Sequence, residues 1–411
     1  MNGDGDKGKY TSPHGSKTWE YLAIFVCTVL TLCVGILFGW NSPTVVLLLK
    51  PNSPVPVTIS DISTLTVSLM LAQMLAPFIN MFAIDKIGRK YALLFCGLPI
   101  VATWCLIIVA KSVSVLYVAR FFSGISVGLV FIITPMYLGE ISSIKTRGVN
   151  GTLLGITSNL EKLRGKIDVS EELNMILESL KKKDENKGGN MGTLKEMFMI
   201  KGNRRAFLII LLFVTCNHFS GYITMIIYGQ LIFKETSSRI SHYTENIIVG
   251  IILLLSSILI IFFVDKLGRK PLIFVSGIII GFCNLTIGSF FYVKDYINEN
   301  ISTYFLIPLI AFIILIFFSN SMFNLMLIMV SEIFSIEVKA FSSCVIGIAG
   351  GLFGTIVSKL YIFISISLNY GHSVPFYGFC IIIWITIFIL FNLVPETKGK
   401  TFQDIQRELN K

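Results

Sequence analysis

The chain has 411 residues and a formal net charge of +10, from 34 Lys and Arg against 24 Asp and Glu. Apolar residues make up 54% of it and charged residues 14%, where a soluble globular protein carries about 25% charged residues. With a mean hydropathy of +0.77, that composition excludes the two or three soluble domains that length alone suggests and makes lipid the solvent for most of the chain.

A lipid-crossing helix needs about 20 mainly apolar residues, because its backbone must satisfy its own hydrogen bonds. In chain order, a polar leader over residues 1 to 20 precedes a first span near 21 to 49. That span is too long for a signal-peptide core of about 7 to 15 residues and is read as retained. Spans near 62 to 84, 91 to 110 and 112 to 138 complete an N-terminal group, residues 21 to 157. The stretch Gly148 to Ile156 is only semi-apolar and too short to cross. A polar segment over residues 158 to 205 follows, with an amphipathic stretch from Val169 to Leu180 and the run Lys181-Lys182-Lys183-Asp184-Glu185. It reads as short cytoplasmic helices and a solvated linker. The lysine run fits a lipid-headgroup site or, more commonly, a solvated face. Six further spans near 206 to 233, 247 to 264, 271 to 293, 301 to 331, 340 to 365 and 373 to 395 form a C-terminal group, before a polar tail over 396 to 411.

The positive charges orient these ten spans. With both termini cytoplasmic, 27 of the 34 cations fall on the cytoplasmic side, as the positive-inside rule requires. The other seven, Lys50, Lys111, Arg120, Lys234, Arg239, Lys294 and Lys359, lie outside or within spans. The basic excess is therefore a topology signal and argues against nucleic-acid binding. All eight cysteines sit in apolar stretches, where they behave as small buried hydrophobes. They form no disulfide framework or metal spacing. Asn300-Ile301-Ser302 fits a glycosylation sequon but lies too near the membrane to carry weight. No nucleophile motif, metal cluster or phosphate loop supports an enzyme.

The chain repeats itself. Asp85-Lys86-Ile87-Gly88-Arg89-Lys90 recurs 180 residues later as Asp265-Lys266-Leu267-Gly268-Arg269-Lys270, each copy between two apolar spans. Gly139-Glu140-Ile141-Ser142 recurs as Ser331-Glu332-Ile333-Phe334, at the cytoplasmic end of the second span beyond the loop motif. Two matches in one order imply two related halves. Two spans follow Glu332 and none follows Glu140, so the halves hold four and six spans and the first lacks a pair. In each loop, Gly permits a tight turn, Asp accepts hydrogen bonds at a helix end and the cations stay at the headgroups. A single copy reads equally as a positive-inside anchor or as a lock between halves; the duplication favours the lock.

The two DKxGRK loops, Arg120 with Gly124 and Gly128, Pro135-Met136-Tyr137-Leu138-Gly139-Glu140, Arg147-Gly148, Ser220-Gly221, Ser331-Glu332-Ile333-Phe334 and Pro395-Glu396-Thr397-Lys398-Gly399-Lys400-Thr401 resemble the sugar porters of the major facilitator superfamily. The similarity is greatest to insect facilitated trehalose transporters and animal glucose facilitators. It implies an all-α integral membrane fold of two pseudo-symmetric bundles, here with about ten helices (4 + 6) instead of twelve. It also implies a midplane cavity and alternating access, a sugar as substrate, no cofactor, and a place in the plasma membrane. It makes Asp85, Arg89, Glu140, Arg147, Asp265, Arg269, Glu332 and Lys339 a cytoplasmic gating network. Lys339 stands where the family carries Arg, which keeps the charge and loses the bidentate fork. For Arg120, functional pairing and snorkelling are equal readings.

Departures from the family pattern bear on the substrate. The usual Gln pair is Asn217-His218 here, and the later Asn is Ile223. Asn217, Gly221, Thr224 and Tyr228 fall at helical spacing on one face, and a polar stripe in lipid faces a cavity or another helix. With Ser220 they form the expected sugar site; His218 is a hydroxyl partner or a histidine with a structural bond. The family's aromatic platform is lost at Leu327, while Asn320 and Asn324 add amides to one face. The glycine pairs Gly124/Gly128, Gly347/Gly351 and Gly350/Gly354 are assigned to close helix packing. After Gly155-Ile156-Thr157 the family's fifth and sixth spans are absent. The expected function is facilitative sugar transport. The alternative is a truncated variant or regulatory homologue that does not transport. The lack of Asp or Glu deep in a span argues against proton coupling.

Overall fold

A computed structural model describes residues 17–50, 52–87, 89–142, 200–236, 242–297, 304–334, 336–400 and 402–410, and every element among them is a helix. Among the described residues, ten helical stretches are long and apolar enough to cross a membrane: Phe25–Leu48, Ile59–Asn80, Tyr91–Val109, Val113–Thr134, Lys201–Phe233, Ile247–Val264, Arg269–Ile297, Leu306–Val330, Cys344–Ser367 and Ser373–Leu393. They match the ten expected spans in order.

The first half contains α1 (Lys17–Gly39), α2 (Asn41–Leu48), α3 (Ile59–Ile87), α4 (Arg89–Phe95), α5 (Gly97–Val109) and α6 (Val113–Ser142). The second contains α7 (Lys201–Phe219), α8 (Tyr222–Glu235), α9 (His242–Leu267), α10 (Arg269–Tyr292), α11 (Leu306–Ile333), α12 (Ile336–Ile362), α13 (Ser373–Leu393) and the tail helix α14 (Phe402–Asn410). Single π-helical turns, Val293–Ile297 and Phe363–Ser367, extend α10 and α12. Three spans are two helices in series: α1 with α2, α4 with α5, and α7 with α8. Helix α7 begins at Lys201, so the polar segment expected to reach 205 ends earlier and Arg204 and Arg205 lie on the first turns of a span. The rest of that segment, the leader to residue 16, Arg147, Gly148 to Ile156 and the sequon at Asn300 lie outside the described residues.

Helix α6 is the centre of the first half, packed on α1, α3 and α5, and in the second half α7 packs on α11, α12 and α13 while α10 packs on α11 and α13. Small residues set these approaches, since hydrophobicity does not drive helix association in lipid. A Cβ on Gly124 or Gly128 would strike Leu69, Ala72 or Ala76 of α3, and one on Gly277 or Gly281 would strike Ile387 or Trp384 of α13. The two halves meet chiefly along α3 and α12, where Gly347 and Gly351 receive Pro77, Met70 and Met74. Gly354 also receives Met70, 2.9 Å from where its Cβ would stand, and both Gly350 and Gly354 leave room for the His218 ring at 3.4 Å.

Burial differs between the halves. In the most apolar 18 residues of the α7–α8 span 56% are buried and in α10 50%, whereas in their repeat counterparts, α1–α2 and α4–α5, 28% and 22% are. In α3, packed on α6 and α12, 50% of the residues of its most apolar stretch are buried, and in its counterpart α9 only 24%.

Candidate functional site

Between α7 and α8 the helix breaks. Gly221 has φ +82° and ψ −9°, a left-handed conformation that costs glycine nothing and other residues about 1 to 2 kcal/mol. The hydroxyl of Ser220 donates to the Asn217 carbonyl at 2.8 Å and accepts from the Tyr222 N–H at 3.1 Å, which stitches the break locally. The face expected to run unbroken from Asn217 to Tyr228 is therefore shared by two helices.

On that face three buried donors have no hydrogen-bond partner in the structure: Asn217 Nδ2, Thr224 Oγ1 and Tyr228 Oη. Ser63 Oγ of α3 is a fourth. The Tyr228 ring stacks on Tyr361 of α12 with centroids 5.6 Å apart, and the Tyr361 hydroxyl bonds His372 Nδ1 at 2.7 Å. The Tyr228 hydroxyl faces Ser63 and Thr66 across the boundary between halves, without a well-formed hydrogen bond to either. One apolar cluster here draws Val45, Ile62, Leu69 and Met70 from the first half together with Met225, Tyr228, Phe312, Tyr361 and Phe376 from the second. We call this the far side, opposite the two DKxGRK loops; it is closed. Deeper in, Phe131 of α6 meets Phe323 of α11 edge-on at 6.4 Å.

The remaining candidates are engaged. Asn320 Nδ2 donates to Ser256 Oγ at 2.6 Å, Ser257 Oγ at 2.9 Å and the Leu253 carbonyl at 3.2 Å, all on α9. The Tyr222 hydroxyl reaches its Oδ1 at 3.5 Å. Asn324 Nδ2 donates to Ser257 Oγ at 3.3 Å. His218 Nδ1 lies 2.9 Å from the Val214 carbonyl; a carbonyl only accepts, so Nδ1 carries the proton and Nε2 is left as an acceptor. Arg120 does not snorkel: it is 0% exposed, donates from Nη1 to the Leu37 carbonyl at 2.9 Å and lies 5.1 Å from the Trp40 ring centroid. Among the described residues no carboxylate pairs with it, and its Nε and Nη2 are unpartnered.

On the loop side, two members of the expected charge network have described side chains. Arg269 Nη2 bonds Glu332 Oε1 at 2.7 Å, and the other Glu332 oxygen accepts from the Thr397 hydroxyl at 2.6 Å. Asp85, Arg89, Glu140, Asp265 and Lys339 lie on helices α3, α4, α6, α9 and α12, with side chains outside the described ones; Arg147 lies outside altogether. The sequence pattern did not single out Glu396, which is central here. Its carboxylate accepts from the N–H groups of Arg269, Lys270, Thr397 and Lys398 at 3.0 to 3.1 Å, so it caps the N-terminus of α10. Burial pushes the Glu396 carboxyl up, and those four N–H bonds outweigh it and hold the group below the usual carboxylate range. Gly268, with φ +89°, makes the room: a Cβ there would stand 2.9 Å from Glu396 Oε2. Helix α14 extends the fastening, with Gln406 Nε2 on the Ile333 carbonyl and Asn410 Oδ1 on the Gly202 N–H, both at 2.7 Å. A carboxylate directly before Thr in the tail was the only sequence signal for this cap.

A family model described as "Sugar (and other) transporter" matches residues 26–159 and 156–409. The two matched segments meet where the sequence places a missing pair of spans. The facilitated trehalose transporter of Apis mellifera ligustica is 25% identical over 452 aligned positions, covering 95% of this chain and 88% of the relative. Since 95% of 411 residues is about 390, about 60 of those 452 positions hold no residue of this chain. The Bombyx mori facilitated trehalose transporter is 25% identical over 99% of this chain and 90% of its own length; in the Aedes aegypti relative the match spans 55% of the longer protein. Among solved structures, the proton:xylose symporter XylE bound to 6-bromo-6-deoxy-D-glucose superposes with a TM-score of 0.64 at 17% identity, over 95% of this chain and 100% of that one. The inward open conformation of the xylose transporter XylE from E. coli gives 0.62, also at 17% identity, over 94% and 99%. At such identity the likeness carries the fold: two bundles of the major facilitator type.

Proposed function

We propose that this chain, which belongs to the sugar (and other) transporter family, is a facilitator that moves a sugar such as trehalose or a hexose down its gradient by alternating access. The observation that carries this reading is the set of unpartnered donors at the boundary between halves: Asn217 Nδ2, Thr224 Oγ1 and Tyr228 Oη. A polar group without a partner in a water-poor interior costs about 1 to 3 kcal/mol. Neutral donors in a row suit an uncharged, hydroxyl-rich solute that would satisfy them. Asn217, His218, Ser220, Gly221, Thr224 and Tyr228 line the path in this reading. Asn320 and Asn324 would join it only by giving up their bonds to α9.

With the far side closed, the described state is one in which the solute would exchange from the loop side. The Arg269–Glu332 pair, capped by Glu396, is the described part of a lock that would also use Asp85, Arg89, Glu140, Arg147, Asp265 and Lys339. The distribution of cations supports cytoplasmic termini, and the likeness to sugar porters supports a place in the plasma membrane. Arg120 held by a carbonyl and a ring, with no described carboxylate, favours movement without proton coupling.

A second reading has its own support. In the second half, α12 and α13 cover α7, and α13 covers α10; the counterparts of α12 and α13 in the first half are the missing pair. The low burial of α1–α2, α4–α5 and α9 falls on the helices that pair would cover, and favours a truncated variant that does not transport. Sugar uptake into vesicles holding the purified protein decides between the readings. Saturable uptake above that of empty vesicles supports the facilitator, and uptake no faster than empty vesicles rejects it.

A further inference from the structure

The seam between α7 and α8 is held from outside the helices it joins. Asn284 lies in the middle of α10, fully buried, and its Nδ2 donates to the Ser220 carbonyl at 3.0 Å and to the Ile280 carbonyl at 2.9 Å. The second bond lies within its own helix and fixes the amide; the first crosses to the seam. Asn284 Oδ1 has no partner and lies 2.9 Å from where a Cβ on residue 221 would stand, with Phe379 and Phe376 of α13 at 3.3 and 3.6 Å from the same point. A helix end leaves carbonyls without intrahelical donors, and away from water such a carbonyl needs a donor from elsewhere. Asn284 supplies one for this conformation of the seam. From there α8 runs to the far side, packs on α2 and carries Tyr228 against α3. A change in the angle between α7 and α8 therefore moves the part of the second half that seals against the first.

We propose that Asn284 is the positioning residue of this seam: its amide selects the bend that closes the far side, and that bond breaks when the far side opens. The use of this motion for transport rests on the proposed function; the preference for one bend does not.

The test reads the bend directly. In a cysteine-free background carrying Ser63→Cys, which lies beside Tyr228, the purified full chain in lipid nanodiscs is labelled with a water-soluble maleimide. Asn284→Leu keeps the bulk and removes the donor, and Asn284→Ala removes the side chain. Each is expected to raise the labelling rate about tenfold, the size set by leaving one buried carbonyl unmet. Tyr377→Phe, which removes a 3.2 Å bond from α13 to Ser289 of α10 away from the seam, is expected to leave the rate unchanged. Labelling at the parental rate in folded Leu and Ala variants overturns the proposal. So does equal acceleration by Tyr377→Phe, since general loosening would then explain the effect. Where the Leu and Ala variants do not fold, Asn284→Ser carries the test. About threefold acceleration is then expected, and none overturns the assignment. Faster labelling together with absent sugar uptake rejects transport and leaves the role of Asn284 standing.

Discussion

At the scale of residues, the informative groups are buried donors with nothing to bond. A buried hydroxyl without a partner adds no hydrogen bond to the fold, and removing it gains about 1 kcal/mol. Tyr228→Phe is therefore expected to leave the melting temperature unchanged or raise it, while lowering the kcat/KM of sugar uptake at least about tenfold, the usual loss when a site built for a hydroxyl loses its partner. A lower melting temperature with normal uptake would make Tyr228 a packing residue. His372, at the far end beside Tyr361, gives a pH signature. Burial pushes its imidazole down to about 4, against a rise from Glu235 and with a further lowering from Lys294. The neutral form is thus favoured in the folded state, so its contribution is complete above about 6.5, the ordinary value, and is lost as pH falls toward 4. Thermal stability should fall over that window, and His372→Phe should flatten the fall. The sequence singled out Asn217, Thr224 and Tyr228 as candidates because polar residues at helical spacing stand out in apolar spans. It gave Asn320 and Asn324 the same weight, since spacing along one helix does not reveal that Ser256 and Ser257 face them from another. Asn284 shows the same limit, because its partner is a backbone carbonyl 64 residues away.

At the scale of elements, glycines decide where helices touch. A Cβ on Gly351 would strike Met74 and Met70 of α3, whereas one on Gly35 meets nothing within 4 Å. Gly351→Leu is expected to lower the yield of folded protein several-fold by wedging the halves apart, and Gly35→Leu to leave it unchanged, as read by size-exclusion profiles. The glycine pairs were legible as packing sites, but the helices they receive were not. The loop-side fastening was legible only in part. The repeat identified Arg269 and Glu332, but the cap by Glu396 depends on the tail returning to α10 across 127 residues. Glu396→Gln replaces a carboxylate that accepts four N–H bonds with an amide that turns donors toward them. It should destabilise the second half by about 1 to 3 kcal/mol, seen as a lower melting temperature. An unchanged value would show the cap to be dispensable.

At the scale of the whole molecule, ten spans and their order could be read from hydropathy because lipid enforces long apolar helices, and the two halves could be read from the repeated loops. The break at Ser220–Gly221, and the turns at Trp40 and Cys96 where the backbone stays right-handed helical, were not legible, since apolar sequence continues through each. The repeat led to the expectation of a missing pair; α1–α2, α4–α5 and α9 are the less buried described spans, where such a pair would pack. The low burial of those spans and the unpartnered donors at the boundary make opposite demands on function, and in the proposed facilitator the donors prevail. The direct test is the initial rate of labelled trehalose and hexose entry into vesicles holding the purified ten-span chain. A facilitator gives saturable entry above empty vesicles, cut about tenfold by Tyr228→Phe. Entry of both sugars at the rate of empty vesicles, from protein shown to be folded, would contradict it.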